Sequence, residues 1–543
     1  MSEEKQQYDI SLHSVSTENA AKIEDPNIPI EEKTKLLLNS LKELDSDEKR
    51  LTIIESFKQY PSVLFWALFM SFGIVACGYD QALISTFYAS PNFQKKYGVP
   101  DPNNPGSYMI TAAWQTGLSM GSPVGQVIGP LMVPFFTEPY GRKKVMILFT
   151  VLLTCFNFIQ FFAENIQTLC AGEIIAGVIW GTFVSLSPLY SSEISPSSMR
   201  PVVSSLNNIA FIIGQFVAAG VQAGCQNSRT DKWAYKIPFA VQWGWSLIIF
   251  AGIYWCPESP WWLVKKGKFD EAKKSMRSLG WKVSEDQLDK RVQIMYDTGK
   301  LEEEIESSAS YMACFSKKAL HRTEVTIMVF VNQILVGNWY VSYLTYFFSL
   351  AGLGTKQSFN LSVGTNAIGL VFCIASWWIM EKYSIRNLYI GGCFFLFVVL
   401  VIMGGLDCGP DYNTNGSIRY AMASMLILWN AGYQVSIGPI TFNIMSEAPS
   451  TQLKSRSIGL SIATSSIFAI AMAVGLPYMF AAGWRGKTGF LFGGLSFLCF
   501  VWSYYRLPEM KNRTYQEIDV MFERGIPARE FEHYDCNANE TLP

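Results

Sequence analysis

A chain of 543 residues that is 50% hydrophobic and only 16% charged, with a net charge of −1, has too few polar side chains for the surface of a soluble protein of that length. The balanced charge leaves no basic face for nucleic acid. Three histidines (His13, His321 and His533) and eleven scattered cysteines provide neither metal-ligand spacing nor a disulfide framework. No phosphate-binding loop or catalytic constellation is present either, so ATP-driven pumping, membrane-enzyme chemistry and a bound cofactor are not expected.

Residues 1–60 read as a polar cytoplasmic tail without the apolar core of a signal peptide. Beyond them the apolar residues come in blocks of about 20, the length that crosses a hydrocarbon core. The blocks predict an all-α membrane protein of about twelve spans, at roughly 62–84, 108–134, 145–163, 168–190, 201–223 and 238–256, then 325–350, 360–380, 387–405, 419–442, 457–481 and 487–506. This divides the chain into a six-helix bundle at 61–256, a linker with short helices at 257–323, a second bundle at 324–507 and a C-terminal tail at 508–543. Lys and Arg concentrate in "EPYGRKK" and in Lys265–Lys318, on the side of the N-terminal tail, which predicts both termini in the cytoplasm; Lys95 and Lys96 run against the rule. Of the sequons, Asn415 falls in an outer loop suited to glycosylation, Asn360 sits close to the membrane, and Asn512 and Asn539 lie on the cytoplasmic side. Cys225 and Cys408 fall near outer loops and could pair, though no disulfide framework is expected.

The first span contains "VACGYDQALIS", whose Asp80 stands in an otherwise lipid-soluble run. An ionisable group there costs several kcal/mol unless it is paired or faces water, and so marks a functional position. The two halves also echo one another. "EPYGRKK" (138–144) returns as "EKYSIRN" (381–387), "SSEISPSSMR" (191–200) as "MSEAPSTQLK" (445–454), and "PESPWW" (257–262) as "PEMKNRT" (508–514). Two six-span bundles with a site between them is the major facilitator architecture.

On these residues the chain resembles the sugar porter branch of that superfamily. "FYASPNFQKKYG", "IPFAVQWGW", "PESPWWLVKKGKFDEA" and "RGIPAREF" are most similar to fungal maltose, or alpha-glucoside, permeases. The resemblance implies a proton-coupled sugar carrier in the plasma membrane, with sugar, proton and lipid as its only partners. Asp80 takes the position of the proton-binding carboxylate, and Glu173 in "CAGEIIAG" stands where sugar symporters often carry an Arg; two carboxylates facing one cavity repel unless one is protonated. Further acids of the maltose permeases are replaced by Cys77 and Gln126. Substrate contacts are expected at Asn208, Gln333, Trp339, Tyr343 and Phe442, with Asn332, Asn338, Gln434 and Trp114–Gln115 behind them.

A gating set is expected on the cytoplasmic face: Arg142, Lys143, Glu193, Arg200 and Glu258 in the first half, Arg386, Glu447, Lys454, Arg456 and Glu509 in the second. Glu193 is expected to pair with Arg200, and Glu447 with Lys454 or Arg456. Uncoupled diffusion of a hexose or polyol is the alternative that Glu173 and the missing acids favour. A transporter-like nutrient receptor is the other, and the short C-terminal tail opposes it.

Overall fold

The computed structural model describes residues 55, 58 and 60–534 except 102–105, 197–198, 230, 282–284, 306–309, 318, 351–353, 410–415, 451–452, 512 and 514. His13, the sequons at Asn415, Asn512 and Asn539, and nearly all of the expected N-terminal tail lie outside these residues. Within them the chain is helical except for a short antiparallel pairing of Val99–Pro100 with Tyr108–Met109 and the connecting loops.

Spans one to six are Pro61–Phe87, Ala112–Tyr140, Arg142–Phe161, Ile166–Ile194, Arg200–Ser228 and Trp233–Trp255. Span seven (320–350) is broken, with a π-helical segment Ile334–Asn338 around Gly337. Spans eight and nine are Thr355–Lys382 and Ile385–Asp407; span ten is interrupted at Ser436 between Gly416–Val435 and Ile437–Glu447; spans eleven and twelve are Lys454–Ala481 and Thr488–Arg506. Nine of these are long and apolar enough to cross a bilayer by composition, and the exceptions are spans two, seven and ten. Span two carries Pro123, Pro130, Pro134 and Pro139, and the other two are broken. Irregular backbone at membrane depth is tolerated where protein surrounds it or it lines a cavity, and these three spans line the interior. Phe135, Leu247, Trp255, Val371 and Leu498 are among the large apolar side chains left exposed on the outside of the helices.

Small residues set the closest contacts, since tails of lipid give apolar side chains no reason to prefer one another. A Cβ on Gly125 would lie 2.2 Å from the Ile174 carbonyl, and one on Gly177 2.2 Å from that of Ser122, so spans two and four meet backbone to backbone. Gly78 and Gly214 do the same for spans one and five. Spans two and eleven form one seam between the bundles, where Gly459 abuts the Pro130 carbonyl. Spans five and eight form the other, with Trp377 Nε1 donating to Ser205 Oγ at 2.6 Å. The linker contains the helices Pro260–Lys265, Phe269–Ser278 and Glu285–Ile305 on one face of the bundles, called the linker face below.

Candidate functional site

Between the bundles lies a cavity of about 760 Å³, counted with the solvent at its opening. Its polar lining is amide-rich. Gln81 and Gln126 come from spans one and two, Asn208 and Gln215 from span five, Gln333 and Asn338 from span seven, and Gln434 from span ten. Asn208 crosses the seam, its Nδ2 donating to Gln434 Oε1 at 3.0 Å and to Cys373 Sγ at 3.2 Å. Much of the apolar lining is aromatic: Phe442 meets Phe330 edge-on at 5.5 Å, and Phe211, Trp339 and Tyr433 stand with them. Convergent amides among aromatic faces suit a compact polyhydroxylated solute, whose hydroxyls take the amides while its C–H face takes the rings.

A smaller chamber of about 390 Å³, counted with the solvent at its opening, adjoins it on the face away from the linker, sharing Gln81, Pro123 and Trp339, and is lined further by Ser119, Ser342, Tyr343 and Glu173. The structure thus places Asn208, Gln333, Trp339, Tyr343, Phe442, Asn338 and Gln434 along these two spaces. Asn332 and Gln115 go elsewhere. Asn332 is turned toward Tyr389, and Gln115 donates to the Ile110 carbonyl and, at 3.4 Å, to the Tyr346 hydroxyl near the far face.

Asp80 is fully buried beside the cavity without lining it. Its oxygens accept from Trp180 Nε1 on span four at 2.9 Å and from Gln242 Nε2 on span six at 2.6 Å, which offsets the cost of removing a carboxylate from water. Glu173 is buried as well; Gln160 Nε2 on span three donates to its Oε1 at 2.8 Å, and Asp80 and Glu173 stand close enough to interact electrostatically. Two carboxylates from spans one and four are therefore held by an indole and two amides inside the first bundle. Among the described residues no cluster of His, Cys, Asp or Glu could hold a metal ion.

Contacts join the bundles toward both ends of the cavity. On the far face Tyr343 donates to Ser119 Oγ at 2.6 Å, and its ring stacks on Tyr88 at 5.9 Å. On the linker face Arg456 Nη2 of span eleven reaches Glu138 Oε1 of span two at 2.9 Å, and the hydroxyls of Ser204 and Ser446 meet at 3.0 Å. Arg200 of span five bears electrostatically on Glu447 of span ten, as does Lys454.

Of the expected pairings on this face, Lys454 with Glu447 is kept as an electrostatic contact and the others are rearranged. Glu193 is taken in a two-pronged bond by Arg142, at 2.7 and 3.0 Å, because the positive φ of Gly141 (+92°) turns the chain so that Arg142 points at span four. Arg456, expected beside Glu447, instead crosses to Glu138. Glu258 caps the start of span three, accepting from the backbone N–H groups of Arg142 at 3.0 Å and Lys143 at 3.2 Å. Glu509 repeats this at span nine through Arg386 N at 3.1 Å and the Ser384 hydroxyl. Arg386 itself differs from Arg142, donating to the carbonyls of Leu507 and Tyr504. Cys225 and Cys408 are both free.

Sequence reasoning passed over Trp180, Gln242 and Gln160, the donors that hold the carboxylates, and Gln215 in the cavity wall. A glutamine inside an apolar span was the available signal for three of them. Trp180 carries no such mark, since a tryptophan in a membrane helix reads as packing.

Residues 66–522 match the family described as "Sugar (and other) transporter". The chain is 32% identical over 503 residues to the alpha-glucosides permease MPH3 of Saccharomyces cerevisiae, covering 90% of this chain and 82% of that one. It is 34% identical over 501 residues to that yeast's general alpha-glucoside permease, covering 90% and 80%. With its maltose permease MAL31 the identity is 32% over 518 residues, covering 93% and 83%. Among solved structures, the proton:xylose symporter XylE bound to 6-bromo-6-deoxy-D-glucose superposes with a TM-score of 0.72 at 20% identity, covering 86% of this chain and all of that one. The inward-open xylose transporter XylE from E. coli gives 0.63 at 19%, covering 84% and 99%.

Proposed function

The chain belongs to the sugar transporter family of the major facilitator superfamily, and from that premise we propose that it imports α-glucosides such as maltose together with protons. As a member of that family it carries a sugar across a bilayer and is not an enzyme. The substrate class follows the relatives named for alpha-glucosides and maltose, and the amide-rich, aromatic-walled cavity supports it. The linker face is the cytoplasmic one, both termini lie there, and the plasma membrane is the site of uptake. Domain limits of 61–256 and 324–507 for the two moving bundles, with 257–323 as their tether, complete the proposal.

The single observation that carries proton coupling is the buried pair Asp80–Glu173, held by neutral donors, of which Glu173 lines the smaller chamber beside the cavity. With neither paired to a cation among the described residues, a proton is the charge that lets the bundle reorient in low dielectric. Sugar and proton enter through the opened far-face layer at Tyr88, Tyr343 and Ser119. Reorientation then breaks the linker-face contacts Glu138–Arg456 and Arg200–Glu447, while Arg142, Lys143, Glu193, Glu258, Arg386, Lys454 and Glu509 keep the rims of the bundles rigid.

The test is uptake of radiolabelled maltose in cells without their own carriers, with Asp80→Asn alongside. Coupled uptake alkalinises the medium, collapses with an uncoupler and is lost in the variant, whereas maltose exchange across the membrane survives. Uptake that ignores pH and tolerates the substitution establishes uncoupled diffusion. That second reading has one observation in its favour: Asp80 accepts two hydrogen bonds from its neighbours, as a structural carboxylate does.

A further inference from the structure

Just before span seven the linker makes a short helical turn, Tyr311–Phe315, that touches both halves of the molecule. Cys314 is fully buried, its Sγ in contact with Ser457 Oγ of span eleven at 3.7 Å, and its carbonyl accepts from the Thr323 hydroxyl of span seven at 2.7 Å. The turn is thereby fastened to the second bundle. Tyr311, at its start, reaches across the seam instead: its hydroxyl donates to the Leu131 carbonyl of span two at 2.6 Å, and its ring meets Phe135 at 6.2 Å. Span two offers that carbonyl where its own ladder is weakened. Pro134 has no N–H for the Pro130 carbonyl and its ring crowds it, which opens the helix at this turn. The Pro130 carbonyl faces Gly459 of span eleven, where a Cβ would lie 2.6 Å from it, and the Tyr311 hydroxyl is 3.6 Å from the same point. A carbonyl oxygen has two acceptor positions, so the Leu131 carbonyl can serve its helix and Tyr311 together. Glu138 and Arg456 both bear electrostatically on Tyr311, which places all three in one seam, with Leu131 about two helical turns nearer the cavity than Glu138. The ion pair is weakened by salt, whereas the bond of a neutral hydroxyl to a carbonyl is not.

We propose that Tyr311 is a further positioning residue of the transport cycle: through its bond to the Leu131 carbonyl the linker itself holds the linker-face ends of spans two and eleven together. The turn stays with the second bundle when that face opens, so the bond between Tyr311 and span two is the contact that parts. The linker thus acts as a latch as well as a tether, and its contribution persists at ionic strengths that weaken Glu138–Arg456. This rests on the two faces opening in turn, and on neither the identity of the sugar nor the proton.

The experiment places Ala469→Cys in the cavity wall of the full-length chain, with Ser465→Cys as the reporter should the first not yield folded protein; both positions line the cavity. An impermeant maleimide is added to one face of membrane vesicles at a time, and modification is read on the reporter peptide by mass spectrometry. Tyr311→Phe keeps the ring and deletes only the hydroxyl. It is expected to raise the labelling rate from the linker face by about threefold or more and to lower it from the far face, with an unchanged melting temperature and the same ratio at low and high salt. Labelling unchanged from both faces overturns the proposal, because the bond then holds nothing. Labelling raised from both faces also overturns it, since loosened packing opens the cavity without favouring a side. A rise that vanishes at high salt assigns the closure to Glu138–Arg456 and removes the latch. Labelling confined to one face in every variant, with maltose and without, means that the faces do not open in turn, and the transport cycle proposed above falls together with the latch.

Discussion

Asp80 accepts from Trp180 and Gln242 at once, so Asp80→Asn keeps an oxygen for one donor and turns an N–H toward the other. The opposed donors cost about 1–3 kcal/mol, against which the variant removes a buried charge, so a melting curve of the variant accompanies the transport assay and shows that a lost phenotype reports on the proton. Glu258 is a second residue whose charge state is legible in its surroundings. Burial pushes its carboxyl above the ordinary glutamate value, and the backbone N–H groups of Ser259, Arg142 and Lys143 with the Arg142 charge offset only part of that. A carboxyl raised on folding contributes stability that is complete below its unfolded value and is lost as pH rises through the folded one. Glu258→Gln keeps an acceptor for the span-three cap and never ionises. In detergent melts from about pH 4 to about pH 8, the wild type is therefore expected to lose ground to Glu258→Gln, with the change concentrated just above the usual glutamate range. A difference that stays flat across that range refutes the assignment.

Span seven shows how one backbone position shapes an element. Gly337 sits at φ +104°, which L side chains rarely adopt, inside the π-helical segment that separates Gln333 from Trp339. A Cβ there would meet nothing nearer than 3.7 Å, so the cost of Gly337→Ala is conformational, about 1–3 kcal/mol. The expected result is a melting temperature lowered by several degrees and a reduced uptake rate, because straightening the break moves Asn338 and Trp339 off the cavity. Gly364→Ala on span eight, where no atom lies within 4 Å of the new Cβ, is the control and is neutral or stabilising by up to about 1 kcal/mol. Equal behaviour of the two variants removes the special role of the break. The interruption of the seventh span was not legible in its apolar run. Hydropathy averages over a window and is blind to a single positive φ.

For the molecule as a whole, the bundles touch at both ends of the cavity, and a carrier must release one end at a time. Glu138–Arg456 joins the bundles on the linker face with Arg456 nearly buried and Glu138 partly exposed. Such a pair is worth about 1 kcal/mol, or roughly a fivefold bias in the open-to-closed ratio. Arg456→Glu is expected to raise labelling from the linker face of a cysteine placed at Ala469 in the cavity wall, and Glu138→Arg added to it to restore the wild-type rate. Labelling that rises further in the double variant shows that the pair does not bias the closed state. The motif echoes made both cap carboxylates, Glu258 and Glu509, legible as equivalents, but not the partner of Arg456, because an echo relates positions within each half and this bond runs between halves.

Membrane insertion, the twelve-span count and family membership were determined by the sequence alone, because each rests on local quantities: apolar runs long enough for the hydrocarbon core, basic residues at their ends and short motifs. Tertiary structure decided which polar side chains converge. Asn208 and Gln434 are 226 positions apart yet bonded, Trp180 turns its indole to Asp80 across 100 positions, and Glu173 meets both its partner Gln160 and the smaller chamber. The rotation of each helix about its own axis sets those meetings. That rotation is fixed by glycine contacts between spans and by the breaks at Gly337 and Ser436, neither of which leaves a periodic signal in a helix that is apolar on every side.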